Sequence, residues 1–319
     1  MPVAKTAAKI VISAGLLMFL VWSVDAEMLL RLLSSANPIA ILCAALGLFA
    51  LTPLLALRWQ TVIAALRLQV GYGDALRMVL VGMFFNQLLP SAIGGDAYRA
   101  WALRRRGIPL SHGLNSVVLD RATALVATLG VTLAGLAEIH AIVPAGILRS
   151  SIHTFLAVTV LGAMTGLALT VFADRLPMDG LLGRFAAFRF VKKAGVDVLL
   201  LLRNPRASLV AMALSVFLNV AVSLAVWLIA MAAGENPTMV GCIFVVPLVM
   251  LVSMIPISVA GWGVREGSMV FGLGLLGVQP PAALAISVLY GVALIAVGVP
   301  GGFVWLFSRH RGLVSNPGK

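Results

Sequence analysis

The chain has 319 residues, 61% of them hydrophobic and only 11% charged, with a mean hydropathy of +1.07. A soluble domain carries roughly a quarter charged residues, so this composition excludes a soluble enzyme and describes an all-α, polytopic integral membrane protein. The formal charge of +12 would suit nucleic acid, but the basic residues gather in loops on one side of the counted spans. That is the positive-inside pattern, and no nucleic-acid partner is expected.

The first apolar run, 8–24, follows Lys5 and Lys9 and precedes Asp25 and Glu27, which puts the N-terminus in the cytoplasm. With its small-residue end it mimics a signal peptide, yet it is long enough to span and is expected to be retained. A second span over 38–57 returns the chain inside at Arg58, Arg67 and Arg77. Segment 59–72 is then predicted to lie on the surface, its Trp and Arg suited to the headgroup zone. The apolar run 76–89 is too short to span, breaks at Pro90, and turns through Gly94 and Gly95 into Arg104, Arg105 and Arg106. With both flanks cytoplasmic, 76–107 is predicted to be a re-entrant pair.

Spans are predicted over 114–136 and 152–172. The stretch 174–206 carries seven basic residues with apolar residues at roughly helical spacing. It reads as a cytoplasmic amphipathic helix attracted to anionic lipid, or else as a solvated linker. A fifth span covers 208–231. Segment 239–278, interrupted at Pro256, Gly261 and Gly263, is predicted to be a second re-entrant pair that dips from the opposite face. The last span is 282–307. The total is a single transmembrane domain of six full spans and two re-entrant pairs, with both termini cytoplasmic. Twenty of the 23 Lys and Arg residues then fall on or near the cytoplasmic side.

The two breaks match. Pro90, Gly95 and Arg99 have the spacing of Pro256, Gly261 and Arg265, and an acid, Asp96 or Glu266, stands beside each. This marks a candidate inverted repeat, an arrangement in which transporters build a midplane site from discontinuous helices. Proline stops a helix, and glycine permits close approach. Irregular backbone at membrane depth is tolerated where protein or a wet cavity satisfies it. The helix after each break offers free N–H groups and a positive dipole end, suited to an anion such as a phosphodiester headgroup.

Asp96 reads either as a substrate-facing or proton-coupled acid or as an N-cap. Arg99 either pairs with Asp96 three residues away or binds phosphate. Asp120 and Arg121 sit well inside the third span, where ionisable residues are rare and usually functional. Neighbours on a helix do not face each other, so crossed pairs, Asp96 with Arg121 and Arg99 with Asp120, are expected. A purely structural ion-pair network remains the alternative. Asn86, Gln87, Ser91, Asn115 and Ser258 are candidates to line a polar groove. Glycines 291, 298, 301 and 302 read as close-packing positions in the last span. Cys43 and Cys242, each alone in an apolar run, read as buried hydrophobes with no metal or disulfide spacing. No phosphate loop, metal motif or nucleophile elbow appears, and no cofactor is expected.

At FFNQLLPSAIGGDAYRAWALRRRG, SVVLDR and IPISVAGWGVREGS the chain resembles the flippase-like transmembrane family, known as the membrane half of lysylphosphatidylglycerol synthases. The resemblance covers nearly the whole chain. It implies translocation of a charged lipid between leaflets, carried by Asp96, Arg99, Asp120, Arg121, Arg265 and Glu266. The family's soluble aminoacyl-transfer domain is missing, so no lysyl transfer is expected. The leading expectation is an inner-membrane flippase, not an enzyme, for an anionic or modified lipid (aminoacylated, glycosylated or polyprenyl-phosphate). Its partners would be membrane lipids and a separate lipid-synthesising enzyme. The alternatives are an integral-membrane enzyme acting on a phosphate-linked lipid, and a non-transporting partner of a lipid synthase.

Overall fold

Runs of apolar residues punctuated by Asn, Pro and Gly dictate a succession of helices, and a computed structural model of the chain contains them. It describes residues 26–88, 94–172, 186–254 and 262–310, with 15, 18–20 and 22 nearer the N-terminus. Most of the expected first span, together with Pro90, Ser91, Pro256, Ser258 and Gly261, lies outside the described residues.

The helices are α1 (Ala26–Ser35), α2 (Pro38–Ala50), α3 (Thr52–Ala65), α4 (Tyr72–Leu88), α5 (Gly94–Arg104), α6 (Leu110–Ala134) and α7 (Leu136–Ile142). They continue as α8 (Ile147–Phe172), α9 (Ala186–Leu202), α10 (Pro205–Ala232), α11 (Met239–Ser253), α12 (Val264–Leu275) and α13 (Pro280–His310). Local chemistry sets their starts. Asn37 accepts hydrogen bonds from the N–H groups of Ile39 and Ala40, with Pro38 opening α2; Asn204 and Pro205 do the same for α10. Both are the expected N-cap and first-turn proline.

Five stretches among the described residues are long and apolar enough to cross a membrane: Pro38–Ala65, Leu110–Ala134, Ile147–Phe172, Pro205–Ala232 and Pro280–Ser308. They match the second to sixth predicted spans. The surface segment expected over 59–72 is not found. α3 runs on to Ala65, and Trp59, Val62 and Ile63 are fully buried. Arg58, counted as a cytoplasmic exit, is buried too, because a carboxylate on α6 meets it. Of segment 174–206 the described part is α9, which packs on α8, α6, α10 and α3 rather than lying alone on a leaflet. It buries Asp197, which accepts a hydrogen bond from Asn115, and Lys193 donates to Ser111. Cys242 is buried, whereas Cys43 is exposed on the outer face of α2.

α4 and α5 form an antiparallel hairpin, as do α11 and α12. In the first, Asp74 pairs with Arg106 at one end and Asn86 meets Gly95 at the other. In the second, Gly241 lies against Leu276 and Gly272 against Val245 and Val249. α13 seals the first hairpin through glycine: a Cβ on Gly301 would stand 1.9 Å from the Leu80 carbonyl oxygen, and one on Gly302 would meet the Phe84 ring. The close-packing reading of those glycines holds.

The two largest apolar clusters lie one around each hairpin. Ala56, Trp59, Ala75, Val79 and Leu103 of the first recur 170 positions later as Val226, Ile229, Val245, Val249 and Leu273 of the second. The helix ends agree. Gly107 and Gly277 both have positive φ (83° and 84°), and Ile108 and Val278 return their N–H groups to Leu103 and Leu273. This is a glycine-dependent C-terminal turn. The two hairpins therefore correspond in a register four residues away from the one the Pro/Gly/Arg spacing gives. It equates Asp96 with Glu266, each the third residue of its helix, and leaves Arg99 opposite Met269.

Candidate functional site

The site begins with two glycines. Gly94 and Gly95 open α5 and are buried, Gly95 directly against Gly82 of α4. The Gly95 N–H donates to Asn86 Oδ1 at 2.8 Å, so the side chain of Asn86 satisfies one orphan donor of the helix start. This close approach brings Asp96 and Arg99 of α5 against α3 and α6.

There an alternating chain of charges runs through three helices. Arg58 Nε donates to Asp120 Oδ1 at 2.8 Å, and Arg99 Nη1 donates to the other oxygen, Oδ2, at 3.0 Å. Arg99 Nη2 donates to Asp96 Oδ1 at 2.6 Å. Arg121 then reaches Asp96 with two bonds, Nε to Oδ2 at 2.9 Å and Nη2 to Oδ1 at 3.2 Å. The Arg99 guanidinium also lies 4.8 Å from the centre of the Trp59 ring, and Arg58 Nη1 is 3.5 Å from Ser215 Oγ. Both expected crossed pairs are present, together with the Asp96–Arg99 pair on one helix face.

The order of burial matters. Asp120 is 2% exposed, and the Arg58 and Arg99 side chains are nearly as enclosed, whereas the Arg121 side chain is 47% exposed. Unpaired charges at such depth are costly unless hydrogen-bonded, and each carboxylate here serves two guanidiniums. Three cations nevertheless face two anions, and the surplus positive charge sits at the open end, with Arg121. A cavity of about 220 Å³ borders the chain, lined by Arg58, Asn86, Gln87, Arg99, Asp120 and Arg121 among others.

Arg265 and Glu266 do not line this cavity. They bond to each other, with Arg265 Nε at 2.9 Å from Glu266 Oε1. Glu266 also accepts from the Gly263 N–H at 2.6 Å and from Ser287 Oγ at 3.3 Å. Gly263 has φ +89°, a value that favours glycine, and the bond its N–H donates to Glu266 holds it at the start of α12. The Arg265 guanidinium packs 4.6 Å from the Trp262 ring and 5.8 Å from Tyr290. This second cluster is neutral and self-satisfied, so the two do not form one continuous cleft. Asn115 is also absent from the cavity, since it faces Asp197 on α9. Arg58 and Trp59 are the functional-site residues that sequence reasoning did not single out. The signal was an arginine and a tryptophan inside an apolar run that never stops being helical. Among the described residues no three His, Cys, Asp or Glu side chains converge to hold a metal ion.

Residues 6–302 match the family model described as the lysylphosphatidylglycerol synthase TM region. The chain belongs to this family. Among its relatives is a protein of Haloferax volcanii named glycosyltransferase AglD, 27% identical over 358 aligned positions, covering 96% of this chain and 56% of that protein. The chain thus spans about half the length of AglD. A UPF0104 membrane protein of Methanothermobacter thermautotrophicus is 26% identical over 276 positions, 80% of this chain and 81% of its own. A second, from Methanocaldococcus jannaschii, is 25% identical over 121 positions, 37% of this chain and 36% of its own. The lysylphosphatidylglycerol synthase TM family fits a multi-pass, lipid-related membrane protein, in accord with the five apolar spans.

Proposed function

We propose that the chain is an inner-membrane lipid transporter that moves a lipid with an anionic or modified headgroup between leaflets, without chemical change. The observation that carries this reading is the charge surplus: three guanidiniums against two carboxylates beside a 220 Å³ cavity, the surplus at half-exposed Arg121. A headgroup phosphate restores neutrality by bonding to Arg121, while Arg58, Asp120 and Arg99 stay locked as the base of the site. In a water-poor setting such charge-assisted bonds are strong. The acyl chains remain in lipid. In this reading both termini are cytoplasmic, and the two hairpins are re-entrant from opposite faces.

Vesicles with labelled lipid on one leaflet test it. The purified protein is expected to speed lipid movement, and Arg121→Gln to slow it roughly tenfold, the loss of one charge-assisted bond. The folded state of that variant should be intact, since a half-exposed pair contributes little stability. No acceleration across anionic, aminoacylated, glycosylated and polyprenyl-phosphate lipids would defeat the reading. Headgroup turnover in the same vesicles would favour an enzyme instead. Topology has its own measurement. In a Cys43→Ser, Cys242→Ser background, cysteines replacing exposed Arg105 and Gly234 are expected to label from opposite sides. Labelling from one side only would remove the opposed hairpins.

The relative named as a glycosyltransferase, of which the match covers 56%, favours a second reading. In it the same site presents a lipid to a separate lipid-modifying enzyme. Transport by the purified chain alone separates the two.

A further inference from the structure

The outer side of the α4–α5 hairpin holds a second cleft, of about 200 Å³, distinct from the buried cavity. Its walls are Arg77 on α4, Tyr98 and Trp101 on α5, and Arg105 and Arg106 in the turn that follows α5; Val304 and Ser308 of α13 close it. Asp74 is the one carboxylate lining the cleft, and it accepts a hydrogen bond from Arg106. That bond, with the field of Arg77, holds the Asp74 carboxyl below its ordinary range. Arg106 therefore stays neutralised, while Arg77 and Arg105 form no ion pair among the described residues. The cleft carries two surplus positive charges.

A basic surface arises from the positive-inside rule alone, but such a surface has no walls. Here Arg105 is held over the Trp101 ring, its guanidinium 5.1 Å from the ring centre. Trp101 in turn leans on Tyr98 at 5.8 Å, and Tyr98 stacks on Phe85 at 5.3 Å. Trp101 is nonetheless 45% exposed. An amphipathic ring of this kind belongs at the headgroup level of a bilayer, with acyl chain against its face.

We propose that this cleft is a docking site for the phosphodiester of an anionic phospholipid, held by Arg77 and Arg105 while Trp101 packs on the glycerol and upper acyl chain. The site holds lipid at the membrane surface beside the hairpin, whether or not the chain transports it. Its occupant is recognised by phosphate charge together with an attached apolar tail.

Titration of the purified full chain in neutral detergent with brominated phosphatidylglycerol tests this, because bromine quenches tryptophan on contact. Beyond the quench of the other five tryptophans, a saturable component is expected that Trp101→Phe removes, with a half-point roughly tenfold below that of brominated phosphatidylcholine. Arg77→Gln/Arg105→Gln is expected to erase the preference and leave the zwitterionic lipid unchanged. Near-wild-type circular dichroism should confirm that this exposed pair of changes leaves the fold intact. A saturable component undiminished by Trp101→Phe, or a preference that survives the double substitution, would overturn the assignment. So would competition by inorganic phosphate at the lipid's own half-point, which would mean a free-anion site. The measurement reads binding, so loss of transport in vesicles leaves this result standing, and the reverse holds too.

Discussion

Asp120→Ala is expected to destabilise the protein by about 3–5 kcal/mol, the largest single loss available in the charged chain. Asp120 is the only carboxylate that bonds Arg58 among the described residues, and one of two that bond Arg99. Both arginines are buried, so removing the carboxylate strands one cation outright and half-strands another. Arg58 has only the distant Ser215 hydroxyl in reserve. Asp120→Asn keeps the shape and one acceptor, and should lose less but remain severe, since the cluster moves from one surplus positive charge to three guanidiniums against one carboxylate. A second substitution identifies the cause. Arg58→Met/Asp120→Asn is expected to be more stable than Asp120→Asn alone, because the stranded cation is gone and an apolar chain fills its place; such coupling is what a double-mutant cycle isolates. Reversible unfolding in mixed detergent measures all three. An Asp120→Ala protein that unfolds within about 0.5 kcal/mol of the wild type, the ordinary range for surface changes, would mean that Asp120 is not the shared counter-ion.

That cluster was half legible in the sequence. Two acid–arginine pairs so close together in an apolar chain, at positions where helix neighbours cannot meet, called for crossed partners. Asp96 with Arg121 and Arg99 with Asp120 are those partners. Arg58 was not legible by the same logic. Positive-inside counting treats an arginine after an apolar run as the point where the chain leaves the membrane, and it has no way to see a counter-ion 62 positions away on another helix. The continuing pattern Ala56, Trp59, Val62, Ile63, at helical spacing, was the stronger signal. Asp197 was hidden in a segment whose seven basic residues dominate its average; the structure buries it facing Asn115 and His112 of α6.

The repeat illustrates a different limit. Matching Pro, Gly and Arg by identity gives one register, whereas the structure matches helix starts, core positions and C-terminal glycines in a register four residues away. Burial is conserved between the halves while the charges are not. The first half builds an open, positively charged site. The second closes its own pair, Arg265 with Glu266, around Ser287 and the Gly263 N–H. The expectation of equivalent arginines failed because the two halves use their third-position acids differently. Asp96 is shared between arginines from two helices, whereas Glu266 folds back on its own helix start.

Gly95→Ala is the second large loss expected, and it acts through backbone rather than charge. A Cβ at Gly95 would stand 2.1 Å from the Gly82 carbonyl oxygen, 2.7 Å from its carbon and 2.8 Å from Asn86 Oδ1. The Asn86 side chain can rotate away, but the Gly82 carbonyl is fixed in α4. A carbon–oxygen contact needs about 3.3 Å, so α5 must retreat from α4 by roughly 1 Å. Overpacking of this kind costs about 1–3 kcal/mol. The functional loss should be larger than the stability loss. Arg99 sits one turn beyond Gly95, its two carboxylate bonds and its Trp59 contact all depending on where α5 lies. Gly130→Ala is the matched control. Gly130 lies inside α6, near its C-terminal end, with nothing within 4 Å of its Cβ position, so alanine there should be neutral or should stabilise by about 0.5–1 kcal/mol through helix propensity. Unfolding and lipid movement measured on both variants give the comparison. If Gly95→Ala unfolds and transports like Gly130→Ala, the hairpin tolerates a wider gap than the cluster geometry permits, and the α4–α5 approach is not what positions Arg99.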